Sequence, residues 1–298
     1  MIKRLEPADL PALKGWLERD VPLNLPMLGD LGRYGLAAPF LEFWAQVDDA
    51  GTWQTVVRRF FEHYIVYAPE GAPMREPEEI RFFLQFSNPG SVSGRADTMR
   101  AVLADTPGTW EESACMQLLS DSGLPTAGAD SGTPACAGKQ DADGLSIRAT
   151  KQDADGQLAY ASEQDAGEMG EIIFGTDAFR RNYHNAGEVA EGIRSRLRAG
   201  GVRHLVLRAV DAAGTTRIVS HANTTAELPG FALISGVTTR PEAQRRGHAA
   251  RLVSRLCRDL LREGKTPCLF AKSPAALAMY LKLGFVCTGT YATWRPEE

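Results

Sequence analysis

Several absences narrow the reading before any motif does. No stretch reaches the roughly 18 apolar residues that a membrane-spanning helix needs. The opening segment, MIKRLEPADL, lacks an apolar signal core, so the cytoplasm is the expected location. A basic excess is also missing: 33 Lys and Arg stand against 37 Asp and Glu, for a net charge of −4. Dedicated nucleic-acid binders are normally basic, so neither nucleic acid nor membrane is an expected partner. The five cysteines are Cys115, Cys136, Cys257, Cys268 and Cys287. Odd in number, widely spaced and without a C-x-x-C pair, they give neither a disulfide framework nor a zinc pattern. They read as small buried apolar residues, and no His or acid is placed beside one to activate it. No metal site is expected.

What is present is an ordinary globular mixture. Of 298 residues, 44% are hydrophobic and 23% charged, which excludes a wholly disordered chain, and the length suits two domains or one large one. The clearest break in composition runs from Asp121 to Gly156. This stretch is rich in Ser, Gly, Ala, Asp and Thr and contains KQDADG twice, at Lys139–Gly144 and Lys151–Gly156. Such a segment has too little apolar surface to order itself. It reads as a linker, with a short strand expected at Leu145–Ala149, between domains at 1–120 and 157–298.

The two parts repeat a similar order of elements. Before the linker, strands are expected at Ile2–Leu5, Phe40–Val47, Trp53–Phe61 and His63–Ala68. Helices are expected from Asp9 to Glu18, at Arg95–Leu103 and at Glu111–Leu119. Asn24–Gly35, NLPMLGDLGRYG, reads as a glycine-containing loop. Trp16, Tyr34, Trp44 and Trp53 read as core aromatics, with the lining of a cleft as the alternative. After the linker, Leu158–Ala161 reads as a strand and Asp165–Ile173 and Glu188–Ala199 as helices. Three strands follow, at His204–Val210, Arg217–Thr225 and Phe231–Thr238. A helix at His248–Arg262, a strand at Pro267–Ala271, a helix at Pro274–Leu283 and a strand at Phe285–Trp294 complete the chain.

Phe231–Arg262 carries the most chemistry. A strand ends near Thr239, and Gln244-Arg245-Arg246-Gly247-His248-Ala249 opens directly into an amphipathic helix. A helix start offers unpaired N–H groups and partial positive charge, and Gly247 lets an anion approach the backbone. Ala249 and Ala250 are small, and Arg245 and Arg246 add charge. The segment therefore reads either as a pyrophosphate cradle or as a tight turn with a solvated arginine pair. It is neither a Walker loop nor a dinucleotide fingerprint.

This hexapeptide resembles the Q/R-x-x-G-x-G/A loop of the GNAT acyl-CoA N-acyltransferase superfamily. A second segment, Ser273 to Phe285 (SPAALAMYLKLGF), is similar to the superfamily's N-x-x-A-x-x-x-Y-x-x-x-G-F, with Ser273 in place of Asn. The resemblance covers roughly 157–298. The first half lacks the loop and resembles a degenerate copy, as in tandem bacterial acetyltransferases. The resemblance implies an α/β (α+β) fold of two tandem GNAT-like domains, each a mixed, mostly antiparallel sheet flanked by helices.

By the same resemblance, acetyl-CoA is the acyl donor and an amine the acceptor. Val237, Thr238 and Thr239 hold the pantetheine arm, with the Val237 N–H polarising the thioester carbonyl. Gln244, Arg245, Arg246, Gly247, His248, Ala249 and Ala250 hold the pyrophosphate, and Ser273 bonds the cofactor. Tyr280 is the general acid for the leaving thiolate, against the alternative of a packed aromatic. Leu277, Leu281 and Phe285 read as core. The base stays open among Glu227, His221 with its suitable ordinary pKa, a base acting through water, and none. A non-catalytic acyl-CoA sensor is the alternative to an enzyme. A tandem chain that satisfies its own pairing contacts is expected to be a monomer.

Overall fold

The computed structural model describes residues 1–71, 74–125, 156–180, 183–210 and 214–297. The first KQDADG repeat, the strand expected at Leu145–Ala149 and Cys136 lie outside them. The chain divides into two compact units. Unit 1 takes Met1–Asp121, Thr224–Ser235 and Cys257–Glu298; unit 2 takes Ser122–Asn223 and Gly236–Leu256.

Unit 1 opens with β1 (Ile2–Arg4), α1 (Leu10–Leu17) and α2 (Val21–Tyr34). The strands β2 (Leu41–Val47), β3 (Trp53–Phe60) and β4 (His63–Tyr67) follow, then α3 (Pro77–Ser87), β5 (Ser91–Arg95), α4 (Ala96–Leu103) and β6 (Thr109–Gln117). Pairing is antiparallel along β1-β2-β3-β4, and β5 runs parallel to β4.

Alternation along the strands separates two apolar faces. Val56, Ile65 and Tyr67 face α1 and α2, whose Leu13, Leu17, Met27 and Leu31 recur at helical spacing. Val57, Tyr64 and Val66 face the other way, under Ile80 and Leu84 of α3 and Met99, Val102 and Leu103 of α4. Burying each such side chain contributes about 1.5–3 kcal/mol. Trp16, Tyr34 and Trp53 pack against the first face, and Trp44 against the second, beside Phe83.

Unit 2 contains β7 (Gln157–Tyr160), α5 (Ala166–Phe174), α6 (Asp177–Arg180), α7 (Ala186–Ala199) and β8 (His204–Val210). The strands β9 (Thr216–Leu228) and β10 (Phe231–Thr239) and the helix α8 (His248–Arg262) contribute residues to both units. Antiparallel β7-β8-β9 carries Val206 and Ile218 against Met169, Ile172, Val189 and Ile193 of α5 and α7.

Unit 1 closes with β11 (Thr266–Ala271), α9 (Pro274–Lys282) and β12 (Val286–Arg295). The last strand does not lie at an edge. It inserts between β5 and β6, and β6 in turn pairs with β11, antiparallel in each case. The start of β10 runs parallel to β11.

Two sequence expectations fail here for physical reasons, and one helix was missed. Glu111–Leu119 was expected to be a helix, because Glu, Ala, Met, Gln and Leu favour one. It lies within and just past β6, whose residues pair with β12 on one side and β11 on the other, and this context overrides local preference. Asn24–Gly35 is mostly helix α2 rather than a loop, despite Pro26 inside it. Asp20 caps its start, and Leu23, Leu25, Met27, Leu28 and Leu31 are buried. Helix α3, whose N-terminal residue is Pro77, was not expected at all. In addition, the helix expected from Arg95 starts at Ala96, because Arg95 still belongs to β5.

Candidate active site

In unit 2 the end of β10, a short loop and the start of α8 follow one another without a break. Arg240 anchors the loop at its root. Its N–H donates to the Val219 carbonyl at 2.9 Å and its Nε to the Ile218 carbonyl at 2.9 Å. Pro241–Ala243 form one turn of 3-10 helix. Gln244 Nε2 donates back to the Thr239 carbonyl at 3.2 Å. Gln244, Arg245, Arg246 and Gly247 are exposed, His248 is buried, and Ala249 and Ala250 are half-buried.

Two residues of this loop lie in the left-handed region, Arg245 with φ +62° and Gly247 with φ +81°. At Gly247 the chain turns into α8, and the Arg251 N–H already donates to the Gly247 carbonyl at 3.0 Å. The amides of the first turn are thus left without helical acceptors. No acidic residue stands in that first turn. Helix α3 also connects two parallel strands, but its first turn carries Glu78 and Glu79. An anion is favoured at the first helix and repelled at the second. A hollow of about 310 Å³ adjoins the loop, lined in part by Thr176, Thr239, Arg240, Pro241 and Gln244.

Just upstream, Val237 and Thr239 are half-buried and Thr238 is buried. The Ser220 hydroxyl donates to the Thr238 carbonyl at 2.8 Å. Gly236 has φ +59° in the middle of a strand. The positive φ favours glycine, and a Cβ at this position would also need the Asn223 side chain to swing aside.

His221 is fully buried, and its two ring nitrogens face the Gly236 carbonyl at 3.0 Å and His204 Nδ1 at 2.9 Å. Burial pushes His221 down to about 4 and His204 to about 3, with Arg196 adding to the depression of both. Both rings are therefore neutral near pH 7. Sequence reasoning missed His204 and Gly236. The visible signal was two histidines on consecutive strands, but their diagonal pairing depends on the β8–β9 register, in which Val206 stands opposite His221.

The remaining site residues of the sequence reading lie in unit 1. Glu227 accepts from the Thr224 hydroxyl at 2.7 Å and pairs with Lys265 Nζ at 2.7 Å. This carboxylate raises the Lys265 pKa. Tyr280 is buried on α9 with its ring 5.5 Å from that of Phe285, and burial pushes its phenol up. Ser273 is exposed and caps α9, accepting from the Ala276 N–H at 3.1 Å. Phe285 is core, but Leu281, expected in the core, is 51% exposed. It lies on the outer side of α9, where the helical spacing alone did not fix which face is covered.

Among the described residues three thiols are buried. Desolvation pushes Cys115 and Cys268 up to about 12 and raises Cys257 too, so these thiols stay protonated. Cys287 is exposed, contrary to expectation, on the outer part of β12. Among the described residues, no group of His, Cys, Asp and Glu is arranged to hold a metal. No described helix is long and apolar enough to cross a membrane. Unit 1 also has a cleft of about 710 Å³ that no sequence pattern announced, bordered by Arg19, Asp20, Tyr67, Arg95, Cys115 and Thr290.

Comparison with known proteins agrees with this geometry. Residues 216–294 match the family described as FR47-like protein. No curated protein matches the chain. Among solved structures, a GCN5-related N-acetyltransferase from Sphaerobacter thermophilus superimposes with a TM-score of 0.60 at 16% identity, covering 100% of this chain and 96% of that one. An acetyltransferase of the GNAT family from Colwellia psychrerythraea gives 0.58 at 11% identity, with 100% of each chain covered. A tandem GNAT protein from the clavulanic acid biosynthesis pathway gives 0.57 at 16%, covering 100% of this chain and 99% of that one. At such identities the likeness speaks for the fold. The chain thus shares the mixed, mostly antiparallel α/β fold of these GNAT structures, and residues 216–294 carry the FR47-like segment.

Proposed function

We propose that the protein is an N-acetyltransferase that moves the acetyl group of acetyl-CoA directly to an amine, without an acyl-enzyme. The observation that carries this reading is the β10–loop–α8 segment. A glycine at φ +81° opens a helix whose first turn has no acid. Two exposed arginines, Arg245 and Arg246, precede it. The amide groups of a helix start, the helix dipole and the cationic side chains all favour a pyrophosphate there. In this reading Gln244 to Ala250 hold the pyrophosphate and Val237 to Thr239 the pantetheine arm. Ser273 bonds the cofactor while it caps its helix. The relatives' names support acetyl transfer as the class of reaction.

The chemistry has three needs. The acceptor amine must lose its proton, because a lysine-like amine has a pKa of about 10.4. The thioester oxygen needs a donor, which we assign to the Val237 N–H. The leaving thiolate needs a proton, which we assign to Tyr280 on the strength of its motif. Glu227 could serve as the base only by giving up Lys265, so we favour proton loss through water. We further propose two GNAT-like halves, 1–120 and 157–298, joined by 121–156, acting as a monomer in the cytoplasm.

A second reading, a non-catalytic acyl-CoA sensor, is favoured by two observations: His221 is buried and Glu227 is ion-paired. Calorimetric titration with acetyl-CoA tests what both readings share. Wild type should bind with micromolar affinity, and Gly247→Glu should not. Gly247→Ala serves as a control for backbone strain, which costs about 1 kcal/mol at this φ. Absence of binding to wild type would remove the support for both readings. Binding followed by turnover in a screen of amines decides for the enzyme.

A further inference from the structure

The buried histidine pair in unit 2 has a determinate hydrogen-bond direction. The Gly236 carbonyl can only accept, so His221 Nδ1 must carry a proton. In a neutral ring His221 Nε2 is then a lone pair, and it accepts from His204 Nδ1–H at 2.9 Å. That leaves His204 Nε2 as a bare acceptor, and this atom is buried with no hydrogen-bond partner. The rings lie 5.2 Å apart at 24°. One proton order thus runs from His204 to His221 to the Gly236 carbonyl.

This carbonyl shares a rigid peptide plane with the Val237 N–H, which points the opposite way. Gly236 sits at φ +59° inside β10, outside the regular strand conformation. The histidine hydrogen bond holds the peptide that follows it. We propose that His204 and His221 form a positioning relay that grips the Gly236 carbonyl and thereby aims the Val237 N–H at the carbonyl oxygen of the bound thioester. This inference rests on the acetyl-transfer reading, in which Val237 is the polarising donor. It makes His221 a positioning residue. His204 acts one step further out, fixing the tautomer and tilt of His221.

The test compares His221→Leu, which removes the grip, with His221→Asn, whose amide can donate from nearly the position of Nδ1. His204→Leu loosens the outer partner. The direct readout is the infrared carbonyl band of bound [1-13C]acetyl-CoA, which needs no acceptor. Wild type should shift this band to lower frequency than in free acetyl-CoA. His221→Leu should lose most of the shift and His204→Leu part of it, while His221→Asn keeps it. Affinity for acetyl-CoA should stay within about threefold throughout. Turnover with an amine found by screening should fall about 10- to 100-fold in His221→Leu, in kcat rather than KM, because a misaimed donor costs less than the 10²–10³ of a deleted one. His221→Asn should restore it.

The outcomes separate cleanly. An unshifted band in wild type that binds acetyl-CoA, or a band indifferent to His221→Leu, overturns the relay and leaves acetyl-CoA binding intact. Equal loss of turnover in the Leu and Asn variants, with the band unmoved, makes His221 the base instead. A wild type that does not bind acetyl-CoA overturns the acetyl-transfer reading and the relay with it. Should His221→Leu fail to fold, His204→Leu against wild type carries the same comparison of the band.

Discussion

Lowering the pH from 7.5 to 5.0 should destabilise unit 2 through its two buried histidines. In the folded chain burial holds His221 near 4 and His204 near 3, against an ordinary value of 6.5. Because the folded values are depressed, the unfolded chain binds the extra protons. The stabilisation is full above about 6.5, shrinks as the pH falls below it, and is spent once the folded values are passed. At pH 5.0 the unfolded histidines lie about 1.5 units into this window. At about 1.4 kcal/mol per unit, each ring loses about 2 kcal/mol, and the pair about 4. The nearby charge acting on both rings is Arg196, whose sign does not change in this range. Urea unfolding of wild type and a His204→Leu/His221→Leu variant at the two pH values isolates the effect, since titrating carboxylates are common to both. Circular dichroism is the suitable probe, because Trp16, Trp44, Trp53, Trp110 and Trp294 all belong to unit 1. The variant should lose about 4 kcal/mol less than wild type between the two conditions. Equal losses would refute the neutral, buried pair and the proton order drawn from it.

Two further outcomes follow from the packing and the chemistry. Gly29→Ala should lower the melting temperature although alanine favours a helix by about 1 kcal/mol. Its Cβ would stand 2.5 Å from that of Ala226, and overpacking of this kind costs about 1–3 kcal/mol. Scanning calorimetry decides it, and a stabilised variant would show that α2 is not seated on β9 at this point. Tyr280→Phe should leave the Kd for acetyl-CoA unchanged and lower turnover at least about 10²-fold. Full activity would remove Tyr280 from the mechanism.

The sequence by itself determined whatever follows from neighbouring residues. The strand, loop and helix from Phe231 to Arg262 were legible because Gly247, the two arginines and the apolar spacing of α8 are local signals. The strands β2, β3 and β4 were legible from alternation and turns. Tyr280 was found on a helix because its motif is contiguous. Tertiary structure alone decided the rest. Helix-favouring residues became strand β6 because β11 and β12 supply hydrogen-bond partners on both sides. A segment with internal proline and glycines became α2 because its leucines and methionine found a core. Glu227 acquired Lys265, 38 residues away, and His221 acquired His204 and Gly236, through strand register rather than spacing. Each of these pairings joins residues distant along the chain, and local propensity carries no information about which distant partner will lie across a strand.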